Sequence, residues 1–216
     1  RLATFRVSVA GGFLFRIGIG ATPFLLPLML QLGLGLSAFQ TGSLTFVGAL
    51  GALAMKVAAA PIVRRFGFRR VLIWNGVLCA LSIALTGVFA FGLSHVAILA
   101  VLLVGGFVRS LQFTGLNAIA YADVETLRMS RATSLASVGQ QVSLSTGVAV
   151  GAFVLETLRA GRPDEAILPD DFFVAFMVVA AIACLSIAVY ARLAPDAGAE
   201  MAGRGKATPQ TAEAAE

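Results

Sequence analysis

Pro61-Ile62-Val63-Arg64-Arg65-Phe66-Gly67-Phe68-Arg69-Arg70-Val71-Leu72 decides how the rest of this chain is read. Four arginines fall within seven residues, and long, almost uncharged apolar runs lie on either side. A guanidinium is costly in hydrocarbon, so Arg64, Arg65, Arg69 and Arg70 belong in water or among lipid headgroups. By the positive-inside rule, a short arginine-dense loop between two spans faces the cytoplasm, and its placement orients every other segment. The stretch also reads as a tight reversal. Pro61 is expected to end one helix, and Gly67 to take backbone angles that other residues avoid.

Outward from this loop, the composition agrees. Of 216 residues 58% are hydrophobic and only 12% charged, with a mean hydropathy of +0.91. A soluble domain carries about 25% charged residues, so the chain reads as a polytopic membrane protein. Its formal charge of +5 comes from basic residues at span ends, which topology explains, and no nucleic-acid partner is expected. The expected surroundings are a lipid bilayer.

A membrane-crossing helix needs about 20 residues, and six apolar runs of that length fit, near 7–32, 42–62, 71–93, 96–120, 132–158 and 171–193. With the arginine loop inside, the cytoplasmic segments hold eleven Lys and Arg: Arg1, Arg6, Arg64, Arg65, Arg69, Arg70, Arg128, Arg131, Arg192, Arg204 and Lys206. The outer segments hold two, Arg159 and Arg162. This asymmetry places both ends of the chain in the cytoplasm. Residues 1–195 are therefore expected to form a six-helix transmembrane bundle. Residues 196–216, rich in Ala, Gly, Pro and charge, are expected to form a disordered cytoplasmic tail. The chain starts at Arg1 rather than Met, with no signal-peptide pattern, and is expected to be a piece of a longer polypeptide, with a processed start as the alternative.

Small residues recur at four-residue spacing within the spans, which lets helix backbones approach closely. Gly139, Ser143, Gly147 and Gly151 form such a row in the fifth span, and Gly48 and Ala52 lie in register with Lys56 in the second. Lys56 is expected to snorkel to the interface.

Polar residues at membrane depth are the candidates for function. Arg16 lies inside the first span, with Gly12 and Gly20 four residues to either side to leave space for the guanidinium. Pro23 and Pro27 follow and invite a kink. An ionisable residue at that depth lines a cavity or substrate path, unless it snorkels to the interface. Arg109 in the fourth span has Gln112 and Asn117 beyond it, and the fifth span adds Gln140, Gln141, Ser143, Ser145 and Thr146. A water-filled cavity between the first, fourth and fifth spans would satisfy these groups; interhelical hydrogen bonds within the bundle are the alternative. No Asp or Glu falls in the middle of a span. A proton-coupled machine needs a buried titratable group, so either the chain is not proton-coupled or that group lies elsewhere in a longer protein.

The chemistry of enzymes is missing. There is no Walker loop, no HExxH pattern, and one histidine, His95, placed in a connection. Cys79 and Cys184 lie in apolar runs without a CxxC and read as small buried residues. No metal and no cofactor are expected.

Six spans with a basic, glycine-containing loop between the second and third resemble one half of a major facilitator superfamily transporter. The loop Val63-Arg64-Arg65-Phe66-Gly67-Phe68-Arg69-Arg70 looks like a weakened copy of the family motif G-x-x-x-D-R-x-G-R-[KR]. It keeps Arg65, Gly67, Arg69 and Arg70 and has Arg64 in place of the acid, as C-terminal halves do. The stretch from Arg16 to Pro27, then Leu30-Gln31-Leu32-Gly33-Leu34-Gly35, is similar to the fourteen-span drug:proton antiporter branch, the EmrB/QacA type. So are Asn117 to Asp123, Met129 to Ser134, and Gln140-Gln141.

That resemblance implies an all-α membrane fold of two inverted three-helix repeats. It also implies a missing N-terminal half and export of amphipathic, often cationic, small molecules in exchange for protons at a bacterial inner membrane. Arg16, Arg109, Gln112, Asn117 and Gln140 are then expected to face substrate or gating contacts. A non-transporting, partner-binding bundle and a six-span half acting as a homodimer are the alternatives.

Overall fold

The computed structural model describes residues 3–121, 129–162 and 167–194. The acidic residues Asp123, Glu125, Asp164 and Glu165, the basic residues Arg1, Arg128, Arg204 and Lys206, and the expected tail 196–216 lie outside them, as do the side chains of Arg6 and Arg131. Within the described residues there are six helices long and apolar enough to cross a membrane. They are α1 (Ala3–Leu28), α2 (Ala38–Phe66), α3 (Phe68–Gly87), α4 (His95–Tyr121), α5 (Met129–Ala160) and α6 (Pro169–Tyr190). No strand occurs among the described residues.

The helix ends follow local chemistry. After Pro23 and Pro27, α1 widens into a π-helical turn over Met29–Gly33, closed by the Leu34 N–H donating to the Met29 carbonyl at 3.0 Å. Ser37 and Gln40 cap α2 reciprocally: the Ser37 Oγ accepts from the Gln40 N–H, and the Gln40 Oε1 from the Ser37 N–H. At the start of α6, Asp171 accepts from the Leu168 N–H at 2.9 Å and pairs with Arg162.

The decisive loop proves to be one residue long. Gly67, at φ 78° and ψ 155°, alone separates α2 from α3 and donates its N–H to the Val63 carbonyl. The four arginines therefore occupy the last turn of α2 and the first turn of α3. The expectation for Pro61 is corrected: it lies inside α2, which runs on to Phe66. A proline costs a helix one donor and some strain but does not stop it when neighbouring turns are held. His95 likewise is not in a connection but opens α4.

The packing repeats itself. Helix α1 lies along α5 as α4 lies along α2, α1 packs on α6 as α4 packs on α3, and α3 and α6 pack on each other. Exchanging the first three helices for the last three leaves this pattern unchanged, as two inverted three-helix repeats require. Both lateral crossings are made by glycines. A Cβ on Gly147 of α5 would collide with the Ile17 carbonyl of α1, and one on Gly20 with the Leu144 backbone. At the matching crossing, Gly106 of α4 abuts the Gly48 carbonyl of α2, and Gly51 abuts Leu103. Helices α3 and α6 close one side of the bundle. On the other side α2 and α5 make no extensive contact, so α1 and α4 form the floor of a face flanked by α2 and α5. These flanking helices are the least buried spans of the six.

Candidate functional site

Arg16 projects from the floor helix α1 and is only 8% exposed. Its Nη2 donates to the Asn117 Oδ1 of α4 at 2.9 Å, and its guanidinium lies 5.1 Å from the centre of the Phe113 ring, in cation–π range. The reason is spacing: Phe113 and Asn117 stand four residues apart on one face of α4, so ring and carboxamide meet the same cation. Gly12 makes the arrangement possible, since a Cβ there would come within 2.8 Å of an Arg16 Nη. Gly20, expected to leave space for the guanidinium as well, instead forms the α1–α5 crossing.

Beside Arg16 a cavity of about 30 Å³ lies between α1, α4 and α5, lined among others by Ser8, Asn117, Tyr121, Gly139 and Gln140. The expected grouping of the first, fourth and fifth spans is thus present for Arg16, Asn117 and Gln140. Two polar atoms there, the Arg16 Nε and the Ser8 Oγ, are buried without a hydrogen-bond partner. Ser8, Phe113 and Tyr121 are lining or contact residues that reading the sequence missed. Ser8 was within reach of the argument, because Ser8, Gly12 and Arg16 succeed one another at four-residue spacing on one face of α1.

Gln112 and Arg109 are placed elsewhere. Gln112 is fully buried against α3: its Nε2 donates to the Leu72 carbonyl at 3.0 Å, and its Oε1 accepts from the Asn75 Nδ2 at 2.9 Å. Asn75 donates in turn to the Val108 carbonyl at 2.7 Å, so the pair clasps α3 to α4. Nearby, the buried Tyr190 of α6 donates its hydroxyl to the Gly11 carbonyl of α1 at 2.9 Å. Arg109 is half-buried, donates its Nε to the Gly105 carbonyl at 3.0 Å, and lies next to Gly48 at the α2–α4 crossing. Arg16 and Arg109 do correspond in one respect: each follows a glycine of its own helix by four residues.

The small-residue row of α5 divides by role. Ser143, Gly147 and Gly151 are buried, the two glycines directly against Ile17, Ala21 and Leu25 of α1, whereas Gly139 meets nothing within 4 Å and borders the cavity. Gln141 and Ser145 are exposed, and Lys56 is exposed on α2. Cys79 is buried as expected, but Cys184 is exposed on α6, and both are free thiols. At the arginine turn, Arg69 donates to the Ala191 carbonyl at 3.0 Å and ties α3 to the end of α6, and Arg65 stacks over Phe66.

A larger groove of about 490 Å³ separates α2 from α3, lined by residues such as Ile62, Phe66, Arg70, Trp74 and Leu78. It exists because the two helices, joined by one residue, diverge to pack on different neighbours. Its walls are apolar apart from Arg70 and the already bonded Asn75. The chemistry of the molecule therefore concentrates at Arg16.

Comparison with known proteins agrees with this architecture. The family model described as Major Facilitator Superfamily matches residues 9–215. A relative in Pectobacterium atrosepticum, provisionally named multidrug resistance protein MdtD, is 32% identical over 195 residues, covering 89% of this chain and 42% of that protein. A protein of the same provisional name in Salmonella newport is 33% identical over 199 residues, covering 91% and 42%. The chain thus spans about two-fifths of the length of the curated relatives it matches. No solved structure matches. With six membrane-spanning helices in two inverted repeats and a family match over nearly its whole length, this chain belongs to the Major Facilitator Superfamily, a family of transporters and not of enzymes.

Proposed function

We propose that this chain is the C-terminal half of a secondary transporter of the fourteen-span drug:proton antiporter branch. It exports drugs or other amphipathic small molecules across a bacterial inner membrane, with the arginine turn and both ends of the chain on the cytoplasmic side. The observation that carries the reading is the Arg16–Asn117 pair beside a cavity on the floor formed by α1 and α4. In a two-half transporter, substrate sits near the midplane between the halves, and that floor is the surface a partner half would face. The names of the relatives, which refer to multidrug resistance, support the choice of substrate class. Among the described residues no carboxylate lies near the middle of a span, so the group that loads protons is assigned to the N-terminal half.

Arg16 holds its pocket together through charge and a hydrogen bond, and it is the residue that substrate or gating contacts would use. Arg16→Ala in the complete protein is expected to lower proton-driven efflux of the zwitterionic dye rhodamine B about tenfold or more at unchanged expression, the scale of one lost charge-assisted contact. Unchanged efflux would remove Arg16 from the mechanism. Absence of efflux in the unaltered protein, with every substrate class tried, would favour a non-transporting bundle.

A further inference from the structure

A guanidinium at membrane depth needs a counter-charge or a full set of hydrogen-bond acceptors. Arg16 has neither. Its neighbours are one carboxamide oxygen and one aromatic face, and its Nε is buried without a partner. Among the described residues no carboxylate pairs with it; the one ion pair there joins Arg162 to Asp171 at the opposite end of the bundle.

The surrounding polar groups can donate hydrogen bonds as well as accept them. The Ser8 hydroxyl is buried and unpartnered, and Asn117, whose oxygen accepts from Arg16, has an N–H₂ group to donate. Tyr121 and Gln140 add a hydroxyl and a second carboxamide to the cavity wall. A net positive hollow of about 30 Å³, with an unpartnered guanidinium N–H in its wall, exceeds the roughly 10–15 Å³ needed for one water and suits a small anionic head.

We propose that the cavity between α1, α4 and α5 is a site for a monovalent anionic group, a carboxylate or a halide. The group docks on the Arg16 Nε edge and accepts from the Ser8 hydroxyl. As a statement about substrate, this rests on the export reading above and narrows the cargo to amphipathic acids and zwitterions. As a binding site, it stands on the geometry of the pocket.

The test is equilibrium binding of radiolabelled benzoate to the full-length protein in lipid nanodiscs, with sodium chloride or sodium sulfate as the salt. Saturable binding is expected, weakened at least tenfold by Arg16→Gln and several-fold by Ser8→Ala. Because a Cβ at Gly139 meets nothing within 4 Å and Gly139 borders the cavity, Gly139→Leu is expected to reach into the cavity and block binding without unfolding the bundle, which keeps the test sound should Arg16→Gln fail to fold. Benzoate displaced by chloride identifies a site open to inorganic halide; benzoate indifferent to chloride identifies a site for organic carboxylates.

If neither benzoate binding nor chloride line-broadening in NMR depends on Arg16 and Gly139, the cation is neutralised by the protein itself and the proposal is overturned. Efflux measured on the same variants in proteoliposomes separates the two readings. Binding without efflux sinks the export reading and leaves the site standing, whereas efflux without Arg16-dependent binding does the reverse.

Discussion

Two polar residues on α4, Gln112 and Asn117, look alike in the sequence and do different work. Asn117 holds the cation that faces the cavity, while Gln112 is sealed between α3 and α4. The five residue steps from one to the other amount to about 140° of rotation around the helix, at 3.6 residues per turn. The loss expected at each differs accordingly. Gln112→Leu removes two hydrogen bonds, but Asn75 keeps its bond to the Val108 carbonyl. Interhelical hydrogen bonds in membranes average about 0.6 kcal/mol. The variant is therefore expected to lose about 1 kcal/mol of stability in equilibrium unfolding, with the benzoate affinity of the Arg16 pocket unchanged. A shift of that affinity comparable to that of Ser8→Ala would show that Gln112 acts on the site after all.

Helices in a bilayer gain nothing from hiding apolar surface, so close backbone approach must hold them together. The α1–α5 and α2–α4 crossings, which join one repeat to the other, meet this demand with Gly20 and Gly147 at the first and Gly48, Gly51 and Gly106 at the second. Gly147→Val and Gly106→Val each drive a side chain into a backbone carbonyl and are expected to destabilise by about 1–3 kcal/mol or more, the range for overpacked cores. Gly139→Ala, four-residue neighbour of the same row, is expected to be neutral or slightly stabilising, because open space receives its methyl and alanine favours helix. Thermal unfolding of the three variants in one detergent checks the ordering. Equal behaviour of Gly139→Ala and Gly147→Val would contradict the division of the row into packing and cavity positions. The spacing alone could not make that division, since all four residues share one face of α5.

For the whole molecule, orientation is the property most open to measurement. In a protein freed of Cys79 and Cys184, a membrane-impermeant maleimide applied to intact cells is expected to label Gly161→Cys and to spare Phe66→Cys until the membrane is permeabilised. The opposite pattern would invert the topology derived from the arginines.

Six apolar runs, the basic turn and the absence of enzymatic motifs were legible in the amino-acid sequence, because bilayer thickness and the cost of buried charge act on segments one at a time. Gly67 and the existence of a buried Arg16 belong to the same class of local fact. Which polar groups meet is another matter. Arg16 and Asn117 are 101 residues apart, as Gln112 and Leu72 are 40 apart. Their partners depend on the rotation of each helix and on where glycines let backbones touch. A helix hydrophobic on nearly every face carries little periodic signal of that rotation. Only the assembled bundle turned Asn117 toward the cation, set Gln140 in the wall of the same cavity, and turned Gln112 toward α3 and Arg109 toward α2.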